Sequence, residues 1–230
     1  GLTDWDLWET EQYPPPVTEE LINKLVENAT RAVREVAQFA QETKADVLVL
    51  SADPAMVKIK RETTNEYLNS VYERLLQETL KEARKWYDGE IGFAFGTDVS
   101  GTLLEFKRVP DIGKIDYVLF ATGAEHHNND NPFMWTERAL LNLGEARMIA
   151  EKNSAKGVIL SYEFKEFGSR EIIKCESMKS YTKETRAGFY NDLINKTKSS
   201  VIGYSPIVNR YFSCDIETLL EVTEKWYKKL

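Results

Sequence analysis

Between Leu21 and Ala40 the apolar residues fall at steps of three and four: Leu21, Ile22, Leu25, Val26, Ala29, Val33, Val36, Ala37 and Ala40. A strand, whose side chains alternate every two residues, cannot gather that set on one face; a helix does. Thr18 stands where an N-cap belongs, and Glu19 and Glu20 occupy the first turn, where the helix dipole favours acids. A second stripe, Leu68, Val71, Tyr72, Leu75, Leu76, Leu80, Ala83 and Trp86, marks another long helix over about 65–87. Whatever fold forms must bury two long helical faces near its start.

The texture then changes. DVLVLS, residues 46–51, reads equally as a buried strand or as the continuation of the first helix, and Pro54 suits the first turn of a short helix over 54–60. Strands are expected at 91–97, 102–109 and 115–122, joined by turns at Asp98–Gly101 and Pro110–Gly113. Links that short favour antiparallel pairing. A helix at 133–153, strands at 157–165 and 170–176, a helix at 181–197, a strand region at 200–213 and a helix at 215–229 complete the order. The expected class is α+β, with long N-terminal helices packed on a mostly antiparallel sheet carrying inserted helices. Residues 1–16, with Trp5, Trp8, Tyr13 and Pro14–Pro16, form an extended acidic arm. Residues 17–230 form a single domain, helical over 17–88 and sheet-rich over 89–230.

Hydrophobic residues at 42% and aromatics at 11% exclude a disordered chain. A net charge of -7 argues against nucleic acid as a partner, because phosphates reward a basic surface. No apolar run approaches the roughly 20 residues of a membrane span, and no signal peptide is visible. Cys175 and Cys214 are too few for a disulfide scaffold and read as two buried thiols, or as one bridge if the protein is exported.

Four constellations could carry chemistry, each with a plainer alternative. FGTDVSGTLLEF, residues 95–106, is a hairpin turn or the first motif of a phosphatase. It resembles the Asp-x-Asp-Gly-Thr-Leu motif of haloacid-dehalogenase-type phosphatases, with Asp98 as nucleophile and Ser100 at the acid/base position. YVLFATG, residues 117–123, resembles that family's second motif, with Thr122 in the phosphate-binding place. A later Gly-Asp-x-x-x-Asp run to complete a magnesium site is absent. GAEHHNNDN, residues 123–131, holds both histidines and is either a solvated loop or a metal site of His126, His127 and Asp130. Glu163-Phe164-Lys165 alternates along a strand, as on any exposed strand or as in a metal-dependent nuclease completed by Asp111 or Asp116. Finally Trp135, Arg138, Tyr162, Arg186, Tyr190, Tyr204, Arg210 and Tyr211 are half-buried surface residues or the wall of a small-anion pocket.

The order of pieces is similar to another family. A long helix runs into ADVLVLSADPAMVKI (45–59); NEYLNSVYERLLQETLKEA (65–83), the turn GTDVSG (96–101) and the closing SCDIETLLEV (213–222) follow. This order resembles the extracytoplasmic Cache sensor domains, which are PAS-related. The resemblance implies a sensor that binds a small polar metabolite, without catalysis or cofactor, and is extracytoplasmic or secreted rather than cytoplasmic. Asp215 would hold a ligand amine. Trp135 and Arg138 stand in the order WTER, reversed from the family's Arg-x-Trp, and would complete the ligand site. The long N-terminal helix would serve a homodimer. The competing classes are a phosphatase-like or metal-dependent hydrolase centred on Asp98, and a structural protein that binds a partner through the arm.

Overall fold

The computed structural model describes residues 18–51, 65–96, 109–125, 134–165, 182–206 and 216–228. Helix α1 (Glu19–Glu42) leads into strand β1 (Val47–Ser51), then α2 (Asn65–Trp86), β2 (Glu90–Gly96) and β3 (Tyr117–Glu125). Helix α3 (Met134–Lys152), β4 (Gly157–Lys165), α4 (Lys183–Thr197), β5 (Gly203–Pro206) and α5 (Ile216–Tyr227) follow.

Helix α1 begins as its sequence dictates, with the Thr18 hydroxyl accepting from the Leu21 N–H at 3.2 Å. It stops where Lys44 takes a left-handed φ of 54°. The Ala45 N–H then reaches the Ala40 carbonyl at 2.9 Å and the Lys44 N–H reaches that of Gln41 at 3.2 Å, the paired bonds of a Schellman cap. Helix α3 ends the same way. Ser154 has φ 53°, and Ala155 donates back to Ala150 at 2.9 Å. DVLVLS is thus cut off from α1 by a cap and becomes a strand.

The five strands form one sheet in the order β1-β2-β3-β4-β5, and every neighbouring pair is parallel. A parallel neighbour is reached by a crossover, and crossovers are right-handed. When each successive crossover steps to the next strand in one direction, the helices collect on one face. Burial agrees. The row Leu50–Phe93–Val118–Val158 and the row Phe95–Phe120–Leu160–Tyr204 are each in register, and all their side chains are buried. They share a core with Ala37, Ala40, Leu76, Ala83, Leu143, Ile149, Leu193 and Val222 from the helices. Each fully buried large side chain contributes about 2–3 kcal/mol of hydrophobic stabilisation. The alternate residues lie on the other face, where Val47 and Val49 are 36% and 41% exposed. A sheet covered by helices on one side only curls, and this one forms a half-barrel with that second face concave.

The mostly antiparallel sheet is therefore overturned. Turn signals at Asp98–Gly101 and Pro110–Gly113 report local backbone preference, whereas strand direction depends on what the chain does between strands. The near-continuous apolar runs VLVLS, YVLFAT and GVILSY, a pattern typical of parallel strands, are the better cue. The expected strands at 102–109 and 170–176, the short helix at 54–60, the arm at 1–16 and both cysteines fall outside the described residues, apart from Val109, which is not in a strand.

Most of the stripe of α1 is consumed inside the chain, with Val36 left half-exposed. Ile22, Ala37 and Ala40 are buried, and Leu25, Val26, Ala29 and Val33 pack against the core, so a homodimer through this face is not supported. Between α1 and α2, Glu82 is 5% exposed. It accepts from Lys85 at 2.6 Å, from Arg34 at 2.7 Å and from the Trp86 indole at 3.1 Å. Those bonds, Lys85's first, bring its carboxyl from the ordinary 4.5 to about 2.

Candidate active site

A parallel sheet has two unlike rims. The strands enter at one, from the αβ turns, and leave at the other, into the βα connections. The entry rim here spends its polar groups on backbone. Asp116 accepts from the Ile91 N–H at 2.8 Å and from Arg84 at 2.7 Å. Burial alone would raise its carboxyl, but those two donors hold it below the ordinary value. Asn153, 2% exposed, accepts from the Ile112 N–H at 2.7 Å and donates to the carbonyls of Pro110 and Ile149 at 3.1 and 2.9 Å. Glu90 accepts from the Tyr117 hydroxyl and from Lys156, and the Lys156 ammonium stands 5.3 Å from the Tyr117 ring centre. These contacts tie the segment before β3 to α2, α3 and β2.

The exit rim is made by Ser51, Gly96, Glu125, Lys165 and Pro206, the last residues of the five strands. Register places its residues in rows. Gly96, Ala121, Ser161 and Ser205 form a row of small residues on the concave-face positions. The next row outward pairs Gly123 with Glu163, and the one beyond pairs Glu125 with Lys165. The backbone positions of Glu125, Glu163 and Lys165 thus fall in the last rows of the two neighbouring strands β3 and β4. The Cα atoms of Glu125 and Glu163 are diagonal neighbours, about 7–8 Å apart.

The sequence-derived candidates divide by rim. Trp135 and Arg138 begin α3, whose start follows the exit of β3. His126, His127 and Asp130 stand in the connection between them, Asp98 follows the end of β2 and Asp215 directly precedes α5; all five lie outside the described residues. Thr122 is in β3 opposite Tyr162, on the helix-facing alternation of Val118 and Phe120 rather than that of Glu125. The nuclease grouping comes apart. Asp116 lies at the entry rim, and Glu163 pairs with Gly123, seven residues further along β3, or about 23 Å at strand rise. Asp111 is exposed near the entry rim, where its N–H donates to Glu73 at 3.0 Å. Tyr190 and Tyr204 are core residues, with the Tyr204 hydroxyl bonded to Thr197 at 2.7 Å, and do not wall an anion pocket.

In the sequence Glu125 stands out only as a neighbour of the histidines and Glu163 only as part of a tripeptide. Both share a further signal. Each closes an unbroken apolar strand, YVLFATGAE and GVILSYE, at the end where parallel α/β folds place their chemistry.

Five parallel strands in sequential order with helices on one face form a half-barrel of the TIM-barrel type. No protein-family model matches the chain, and no curated protein matches it. Solved structures do. A GH113 β-1,4-mannanase superposes with a TM-score of 0.55 at 13% identity, covering 95% of this chain and 66% of that one. The GH113 β-mannanase of Alicyclobacillus acidocaldarius in complex with ManMIm gives 0.53 at 10%, covering 96% and 67%. A complex of a GH113 β-1,4-mannanase gives 0.53 at 14%, again covering 96% and 67%. The chain spans about two thirds of the length of these mannanases.

The likeness establishes the fold and overturns the sensor reading. A Cache domain is built on an antiparallel sheet, so the non-catalytic sensor, its small-metabolite ligand and its signalling role fall with the resemblance that implied them. The phosphatase-like and partner-binding alternatives fit the half-barrel no better.

Proposed function

We propose that the chain is a glycoside hydrolase acting on a β-linked, mannan-type polysaccharide, with its active site on the exit rim of the half-barrel. One observation carries the reading: the parallel sheet resembles that of the mannanases, and in it positions 125 and 163 fall near the exit ends of adjacent strands. Enzymes with this architecture do their chemistry at that rim, and most glycoside hydrolases work with a pair of carboxyl groups. One carboxylic acid protonates the leaving glycosidic oxygen. The other, ionised, attacks the anomeric carbon or activates a water. Glu125 and Glu163 are the residues we assign to those two tasks. Trp135 and Arg138, at the start of α3, are proposed as sugar contacts, the indole offering a flat apolar face and the guanidinium its five donors.

The test is hydrolysis of soluble β-1,4-mannan and manno-oligosaccharides by the purified chain, read as new reducing ends. Activity that Glu125→Gln and Glu163→Gln each abolish supports the assignment. Turnover unaffected by either substitution moves the site elsewhere, and no turnover on any β-linked glycan sinks the hydrolase reading.

A further inference from the structure

A sheet that does not close into a ring keeps two edges, and an edge strand presents its outward N–H and C=O groups to any strand that approaches. In the described sheet β5 is an end strand, paired with β4 on one side. It is four residues long, Gly203–Pro206. Its backbone is met by the last turn of α5. The Tyr227 hydroxyl accepts from the Tyr204 N–H at 3.2 Å and donates to the Tyr204 carbonyl at 2.7 Å. A strand residue points its N–H and C=O to the same side. Paired strands stand only about 4.8 Å apart, which leaves no room for a phenol between β4 and β5. Tyr204 therefore faces outward, and by alternation so does Pro206, while Gly203 and Ser205 face β4. Of these two outward residues, Tyr204 has its N–H bonded to Tyr227 and Pro206 has none to offer.

The phenol is held in place. The Tyr227 ring meets the Trp226 ring edge-on at 4.8 Å, and Trp226 meets Tyr204 in the same way at 4.6 Å. Tyr204 is fixed in turn by its own hydroxyl, which is bonded to Thr197 at 2.7 Å and donates to the Ile194 carbonyl at 3.0 Å. Tyr227 remains 49% exposed, so core burial alone does not account for a tyrosine there.

We propose that Tyr227 and Pro206 guard the β5 edge, closing it to strand addition by a second copy of this chain. Two β5 edges can pair only about a twofold axis, antiparallel, and that ladder needs the outward donor and acceptor of Tyr204 in each copy. Tyr227 makes both bonds first. Ile202, just before β5, is 53% exposed and would add apolar area to such a pair. Nothing in the guard depends on hydrolysis, so it stands or falls apart from the mannan assay.

The experiment is amide hydrogen exchange by NMR, with sedimentation velocity over a wide range of concentration. The samples are the full chain as wild type, Tyr227→Phe and Tyr227→Phe/Pro206→Ala. Phenylalanine keeps the ring against Trp226 and loses only the hydroxyl. In dilute solution the Tyr204 amide should exchange about tenfold faster in Tyr227→Phe, with the core amides of Phe120 and Leu160 at their wild-type rates. Self-association should tighten by about tenfold in Tyr227→Phe and further in the double variant, which restores an outward donor. A Tyr204 amide indifferent to the substitution overturns the proposal, as does a speeding shared equally by Phe120 and Leu160. Sedimentation at the wild-type value in both variants overturns it too, because the edge is then bare and recruits no strand.

Discussion

The two rims of the sheet use the same kinds of residue for opposite ends. At the entry rim Asp116 and Asn153 face backbone N–H and carbonyl groups that the αβ turns leave without ladder partners, and their polar atoms are bonded to them. At the exit rim Glu125, Glu163 and Lys165 stand in the last register rows of β3 and β4, beyond the rows that build the core. A carboxylate bonded to the main chain of a neighbouring element holds the fold together. A carboxylate on the exit rim is where the proposed function puts its chemistry. Position along a parallel strand, more than residue type, separates the two.

Substitutions sharpen that contrast when each is read for activity and stability together. The largest effect is expected at the exit rim, where Glu125→Gln lowers kcat on β-mannan by about 10³-fold, within the range for loss of one catalytic carboxyl. The urea midpoint of that variant should stay close to wild type, and a large fall in it would break the comparison. At the entry rim the pattern reverses. Asn153→Ala leaves the Ile112 N–H and the Pro110 carbonyl buried without that partner, and urea unfolding should report a loss of about 2–3 kcal/mol with kcat per folded molecule unchanged.

The buried pairing between α1 and α2 supplies a pH readout. The Glu82 carboxyl is at about 2 in the folded protein against an ordinary 4.5. A depressed folded value means stability that is present above the unfolded value and is lost as pH falls towards the folded one. Wild type should therefore lose stability between about pH 5 and pH 2, and Glu82→Gln should flatten that part of the curve. Arg34 and Lys85 are half-exposed, so solvent screening keeps the difference near 1 kcal/mol. The smallest effect belongs to the start of α1, where Thr18→Ala removes the cap on the Leu21 N–H. Thermal unfolding should show a loss of about 0.5–1 kcal/mol.

Much of the secondary structure was legible in the chain. The stripes of α1 and α2, the cap at Thr18, and the positions of β2, β3, β4, α3 and α4 follow from period and turn chemistry, which are local. The sheet's direction was not legible. Asp98–Gly101 and Pro110–Gly113 carry turn signals whether or not the strands they flank become partners, so a meander and a set of crossovers looked alike. The exit rim was legible only in fragments. In the sequence Asp98, His126 and His127 follow a strand, Trp135 and Arg138 open the next helix and Asp215 precedes one; Asp98, His126, His127 and Asp215 themselves lie outside the described residues. What joined them in sequence reading was a sensor resemblance, because no residue states which end of a strand shares a rim with another.

The sequence by itself determined the helices, most of the strands and which residues had to be buried, because apolar period and capping act within a few turns of chain. Only the tertiary structure decided that the strands run parallel in order, that Asp116 and Glu163 lie at opposite ends of the sheet, and that Glu125 comes into register with Lys165. Those facts depend on register between segments some 40 residues apart, set by how the crossover helices bury their faces, and no local pattern encodes it.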